Sequence, residues 1–187
     1  MQREGQLSLR MNNEELLERY RQTKAPALLD ELICRYFDRI YRFVSSMVGD
    51  QGAVDDLVQD VLLNIVRNID QFRGEAAFST WVYRIASRRV YRYFETESKA
   101  MPTVGAECLE AFADQNRDLS EANELKRLID AAIAELSPAL RAAMLLTTVE
   151  GLTPEEAAAV EDCSAANIHW RVHKAREILK KRLKNHF

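Results

Sequence analysis

The chain has 187 residues, enough for one ordinary domain or two small ones, with 47% apolar and 29% charged residues, the profile of a soluble globular protein. Six Gly and four Pro are too few for a turn-rich β-sandwich or barrel, and no uncharged run approaches the ~20 apolar residues of a membrane span. Its formal net charge of −3 conceals an asymmetry. The segment 164–187 carries seven Lys or Arg against the single acid Glu177, and 67–92 carries six Arg against Asp70 and Glu75. Between them, 95–124 carries eight acids against Lys99 and Arg117. Two basic blocks with an acidic connector point to two polyanion-binding surfaces.

In chain order, MQREGQLSLR lacks the apolar core of a signal peptide. Residues 12–22 read as a helix with Asn12 or Asn13 as N-cap. Residues 26–48 space Leu28, Leu32, Tyr36, Ile40, Phe43, Val44 and Met47 by three and four, an amphipathic helix ended by Gly49. The pattern repeats over 51–69 with Val54, Leu57, Val58, Val61, Leu62 and Ile65, and breaks at Phe72-Arg73-Gly74. A fourth helix spans about Ala77 to Glu95. Helices this close, with short connections, make a bundle.

Residues 96–119 lose periodicity, contain Pro102 and Gly105, and read as a flexible acidic linker. A second helical block begins near Ser120. Ser137-Pro138 starts a further helix, Gly151 closes it, and Thr153-Pro154-Glu155-Glu156 combines Thr as N-cap, Pro at N1 and Glu at N3. The expected fold is all-α: two small helical domains, a bundle at 26–95 and a helix-turn-helix domain at 120–187, preceded by an extension at 1–25.

The helix-turn-helix consists of Pro154 to Glu161, the turn Asp162-Cys163-Ser164, and a basic helix capped by Ser164. Ala158, Cys163, Ile168, Val172 and Ala175 are expected to face inward. Asn167, His169, Trp170, Arg171, His173, Lys174 and Arg176 are expected outward, where Asn and Arg suit base edges and Lys suits phosphate. From Phe78 to Glu95 aromatic residues alternate with Arg84, Arg88, Arg89 and Arg92, chemistry suited to unstacked bases and a phosphate backbone; Phe78 and Trp81 equally suit a core. Asp55, Asp56, Gln59 and Asp60 interleave with Leu57 and Val61 and read as a protein-docking face rather than Mg²⁺ ligands. His169 and His173 are four apart, but no third ligand is evident. Cys34, Cys108 and Cys163, odd in number and without CxxC, argue against a disulfide framework and for a reducing cytoplasm. No nucleophile–base pair or phosphate loop is present, so neither an enzyme nor a cofactor or metal site is expected.

Taken together, DDLVQDVLLNI (Asp55 to Ile65), FRGEAAFSTWVYRIA (Phe72 to Ala86), LSPALRAAMLLTTVEGLTPEEAA (Leu136 to Ala158) and RVHKAR (Arg171 to Arg176) resemble the extracytoplasmic-function (ECF) sigma factors of bacterial RNA polymerase. The resemblance implies that 26–95 is sigma domain 2 and 120–187 sigma domain 4. It implies that Asp55, Asp56, Leu57, Gln59 and Asp60 meet the β′ subunit of core polymerase, and that domain 4 contacts the β subunit. Phe78, Trp81, Arg84, Arg88, Arg89 and Arg92 would open and capture the −10 element of promoter DNA. Ser164, Asn167, Arg171, Lys174 and Arg176 would read the −35 element as duplex. An anti-sigma factor, soluble or membrane-anchored, would restrain a cytoplasmic protein that does not itself enter the membrane.

Three residues depart from the family pattern. Arg88 replaces the usual Asn, so no −10 base preference transfers. Asp162 replaces the usual turn Gly, and Asp tolerates a left-handed backbone. Glu161 replaces an apolar residue, which implies either weaker packing or a partner contact. Two other classes compete: a free-standing helix-turn-helix regulator with an N-terminal sensor bundle, and a metal-dependent phosphohydrolase built on the aspartates.

Overall fold

The computed structural model describes residues 11–100 and 121–184, and all regular structure there is helical. Helix α1 (Asn13–Thr23) starts at a capping box: the Asn12 side chain accepts from the Glu15 amide at 2.8 Å and Glu15 Oε2 accepts from the Asn12 amide at 2.9 Å. It is no loose appendage. Leu16, Leu17 and Tyr20 are buried, Asn13 donates to the Tyr36 hydroxyl at 3.2 Å, and Arg35 reaches back to the Met11 carbonyl at 2.7 Å.

Helix α2 (Pro26–Val48) begins with Pro at its first turn and ends at Gly49, whose φ of 85° closes the chain toward α3 (Gln51–Asn68). Asp50 caps α3 by accepting from the Gly52 amide at 3.1 Å. A 3-10 turn (Ile69–Gln71) follows, then α4 (Phe78–Ala100). Helix α4 runs five residues beyond its expected end at Glu95, because residues 96–100 contain no breaker and Pro102 is the first. The bundle buries Leu32, Ile40, Phe43, Val61, Ile65 and Val82. At its lower end Phe78 meets Tyr36 edge-on at 5.2 Å and Phe72 at 5.4 Å.

The second block comprises α5 (Glu121–Ala134), α6 (Pro138–Met144), a π turn (Leu145–Val149), α7 (Pro154–Glu161) and α8 (Ala165–Leu183). The wide turn, whose Glu150 amide bonds to the Leu145 carbonyl at 3.0 Å, ends with Glu150 buried. The expected cap of α7 forms: Thr153 accepts from the Glu156 amide at 3.2 Å, and its own amide donates to Glu156 Oε2 at 2.8 Å. Asp162 adopts φ 55° and ψ 44°, so the helix-turn-helix turn is left-handed without a glycine. Ser164 caps α8 by accepting from the Asn167 amide at 3.2 Å. Ala158, Ile168 and Ala175 are buried as expected, with Cys163 and Val172 half-buried.

The two blocks do not stay apart. One apolar core runs from Leu16 through Phe43 and Val82 to Leu146, Ala157, Val160 and Ile168, while α5, α6 and α8 share a smaller one around Leu136 and Leu179. Arg141 on α6 is buried at the seam and donates to the Met47 carbonyl of the first block and to the Ala134 and Leu136 carbonyls of its own. Burial lowers the basicity of that guanidinium.

Two outcomes follow for stability. Arg141→Met strands three carbonyl acceptors and should cost about 3 kcal/mol, at roughly 1 kcal/mol each, read from the urea midpoint. Asp162→Ala should cost about 1–2 kcal/mol, the left-handed penalty of a residue with a Cβ and no capping oxygen, whereas Asp162→Gly should leave the midpoint nearly unchanged.

Candidate nucleic-acid interface

On α3 the 3.6-residue period separates two faces. Asp55, Asp56 and Gln59 are exposed, while Leu57 is buried in the core and supports the face from beneath instead of projecting from it. Asp60 is ion-paired with Arg89 of α4, so one of the expected docking acids is tied to one of the expected DNA-binding arginines. Asp55 accepts from the Tyr41 hydroxyl at 3.3 Å. Leu63 and Val66, which the sequence reading left out, continue the face of Asp56 and Gln59 and stand exposed. Their helical spacing, i+7 from each, was the available signal. Among the described residues no cluster of three or more His, Cys, Asp or Glu is placed to hold a metal ion.

The start of α4 and the chain before it enclose a half-open cleft of about 240 Å³, lined by Phe72, Arg73, Glu75, Thr80, Trp81 and Arg84 among others. Trp81 is half-buried, and its ring lies 5.4 Å from that of Phe72. Phe78 is buried behind both and backs the cleft without facing it. The Thr80 hydroxyl is buried without a hydrogen-bond partner. An orphaned hydroxyl beside an indole face is able to bond the edge of a planar polar ring stacked there. Phe72 and Thr80 escaped the sequence reading because the Phe72-Arg73-Gly74 break and the helix start join only in three dimensions.

Further along α4, Arg88 and Arg92 are exposed. Arg88 lies 3.7 Å from the Asp162 carboxylate, but both groups are well solvated, so the pair contributes little. Arg84 instead turns to α7, donating from Nε to the Ala159 carbonyl at 2.8 Å. It thereby satisfies one of the carbonyls left open in the last turn of that helix.

On α8, Asn167, His169, Trp170, His173, Lys174 and Arg176 are exposed, Trp170 at 62%. The Ser164 hydroxyl is occupied as the helix cap. Arg171 does not point outward as expected: its side chain is 17% exposed and NH1 donates to Glu161 Oε2 at 3.2 Å. Glu161 draws it in. This carboxylate, only 2% exposed, also accepts from Ser87 Oγ at 2.6 Å and the Tyr91 hydroxyl at 2.6 Å, both on α4. The partner contact implied at Glu161 is thus made by the other block of the same chain. Burial, reinforced by the Glu161 charge, pushes the Tyr91 hydroxyl up and keeps it a donor. A second buried carboxylate, Glu150, accepts from Arg39 Nε at 3.2 Å and from the Tyr83 hydroxyl, again both in the first block. Tyr83 is held protonated by burial and then by Glu150.

Comparison with known proteins matches residues 32–100 to Sigma-70 region 2 and residues 126–179 to Sigma-70, region 4. The chain is 31% identical to the ECF RNA polymerase sigma-E factor of Escherichia coli K12, over 92% of this chain and 95% of that one. It is 28% identical to that of Haemophilus influenzae, over 92% and 96%. Its fold is similar to CnrH in complex with the cytosolic domain of CnrY (TM-score 0.68, 20% identity, covering 91% of this chain and 96% of that one). It is also similar to the sigma factor RpoE bound to the anti-sigma factor NepR from Bartonella quintana (TM-score 0.66, 23% identity, 83% and 96%). With both regions matched in order and a curated relative aligned along nearly its whole length, the chain belongs to the ECF sigma factors of bacterial RNA polymerase.

Proposed function

We propose that this sigma factor docks on core RNA polymerase through the exposed face of α3, places a single unstacked promoter base in the Phe72–Trp81 cleft, and reads duplex through α8. It acts as a specificity subunit and not as a catalyst, working in the cytoplasm. Among the described residues no helix is long and apolar enough to cross a membrane.

The observation that carries the reading is the cleft. An indole face, a buried unpartnered hydroxyl and flanking arginines converge at the start of an arginine-rich helix. A base leaving its stack needs a π-face to replace stacking, a polar group for its edge and cations for its phosphates. The duplex-reading role of α8 rests on the exposed Asn167, Lys174 and Arg176, which lie on the helix that follows the left-handed turn. Asp55, Asp56 and Gln59 with Leu63 and Val66 combine charge and apolar area as a protein-docking surface does. An anti-sigma factor is the expected inhibitor: RpoE of Bartonella quintana is described with one, NepR, on a closely similar fold.

Three outcomes test this. The purified chain should co-elute with bacterial core polymerase, and Asp56→Arg should abolish co-elution without lowering thermal stability; a wild type that never co-elutes overturns the proposal. With a promoter selected from a randomised pool, Trp81→Ala should weaken holoenzyme binding to the single-stranded −10 strand by about 1–3 kcal/mol, the usual worth of one stacked base. Binding to the −35 duplex alone should be unchanged. Asn167→Ala should relax preference at one base pair by about 1–3 kcal/mol. Lys174→Ala should weaken all duplexes alike and lower the salt slope by about one.

A further inference from the structure

The end of α7 touches residues from both candidate DNA surfaces at once. Its Ala159 carbonyl holds Arg84, its Glu161 carboxylate holds Arg171, and Asp162 just beyond it faces Arg88. Glu161 is the centre of this contact. Withdrawn from solvent, it takes two hydroxyl donors from α4 of the first block and one guanidinium from α8 of the second. Ser87 is itself buried, so the contact is a packed polar joint and not a brush between surfaces. Arg171 donates inward here, and the same guanidinium cannot hold Glu161 and a phosphate or base edge together. Glu150 and Arg141 add two further joints in which a buried charge of the second block relies on the first.

We propose that the C-terminal end of α7, centred on Glu161, is an internal latch that closes the two DNA-reading surfaces on each other in the free chain. Nucleic acid opens it by competing for Arg84, Arg88 and Arg171. Closure is a property of this chain alone and needs no inhibitor. Opening is allowed by length: the 20 residues 101–120 between the described helices span up to roughly 70 Å when extended. The DNA side of the proposal rests on the functional reading above; the closure itself does not.

The test uses the full chain, with Glu161→Ala and, separately, Ser87→Ala with Tyr91→Phe. The pair removes the α4 donors but keeps the Glu161 charge, so it controls for simple loss of an acid. Small-angle X-ray scattering and binding to a fluorescent 20-base-pair duplex of mixed sequence are measured on samples with wild-type far-ultraviolet dichroism. Both variants should show a larger radius of gyration than wild type. Both should bind the duplex about tenfold more tightly, if a tenth of the wild-type chains are open. Adding Arg171→Ala to Glu161→Ala should remove most of that gain. Unchanged radius and affinity in both variants overturns the latch, and so does a gain confined to Glu161→Ala. Co-elution with core polymerase is run in parallel: its failure in the wild type counts against the functional reading alone, because radius and duplex affinity still judge the latch.

Discussion

A carboxylate removed from water must find donors within reach, and Glu161 finds two of its three on a helix more than 60 residues away in sequence. That requirement, repeated at Glu150 with Arg39 and Tyr83, decides how the two helical blocks meet. Apolar area alone is indifferent to small sliding or rotation. Buried charged groups are not, because a displacement of an ångström or two leaves them without partners at a cost far above the worth of one more methyl contact. The seam is therefore specific in register, and Arg141, reaching carbonyls on both sides, anchors its far edge.

Helix α4 carries most of the consequences. Its Phe78, Val82, Ala86 and Val90 stripe belongs to the bundle core, while Ser87 and Tyr91 face α7. Trp81 and Thr80 turn to the cleft, and Arg89 crosses to Asp60 on α3. A helix of 23 residues has room for these roles because neighbours on one face recur every three or four positions. The same economy couples them. Anything that shifts α4 along its axis moves the cleft, the arginine row and the interdomain joint together, and through Asp60 it reaches the face of α3 assigned to polymerase docking.

The helix-turn-helix is the more local structure. Its capping box at Thr153, its left-handed Asp162 and its Ser164 cap are each satisfied by residues within three or four positions. Helices whose ends are set this way need little tertiary help to stop where they do. Only the direction of Arg171 escapes local control, because its partner sits across the turn at the end of the preceding helix.

Helix boundaries, the inward positions of the helix-turn-helix and the sigma-factor family were all legible in the residues, because periodicity, caps and breakers act over a few residues and are written into the chain directly. Even the overrun of α4 past Glu95 has a local reason, the delay of the first breaker to Pro102. The individual sites were legible only in part. Leu57 and Phe78 have the right type and spacing for surface roles, yet lie buried; Asp60 and Arg89 were assigned to separate surfaces and hold each other. The cleft of Phe72 and Thr80, the closed meeting of two blocks expected to be joined loosely, and the inward turn of Arg171 came from tertiary structure alone. The physical reason is common to all of them: a side chain's direction is settled by the most demanding partner it can reach, and the nearest such partner in space lies far away in sequence.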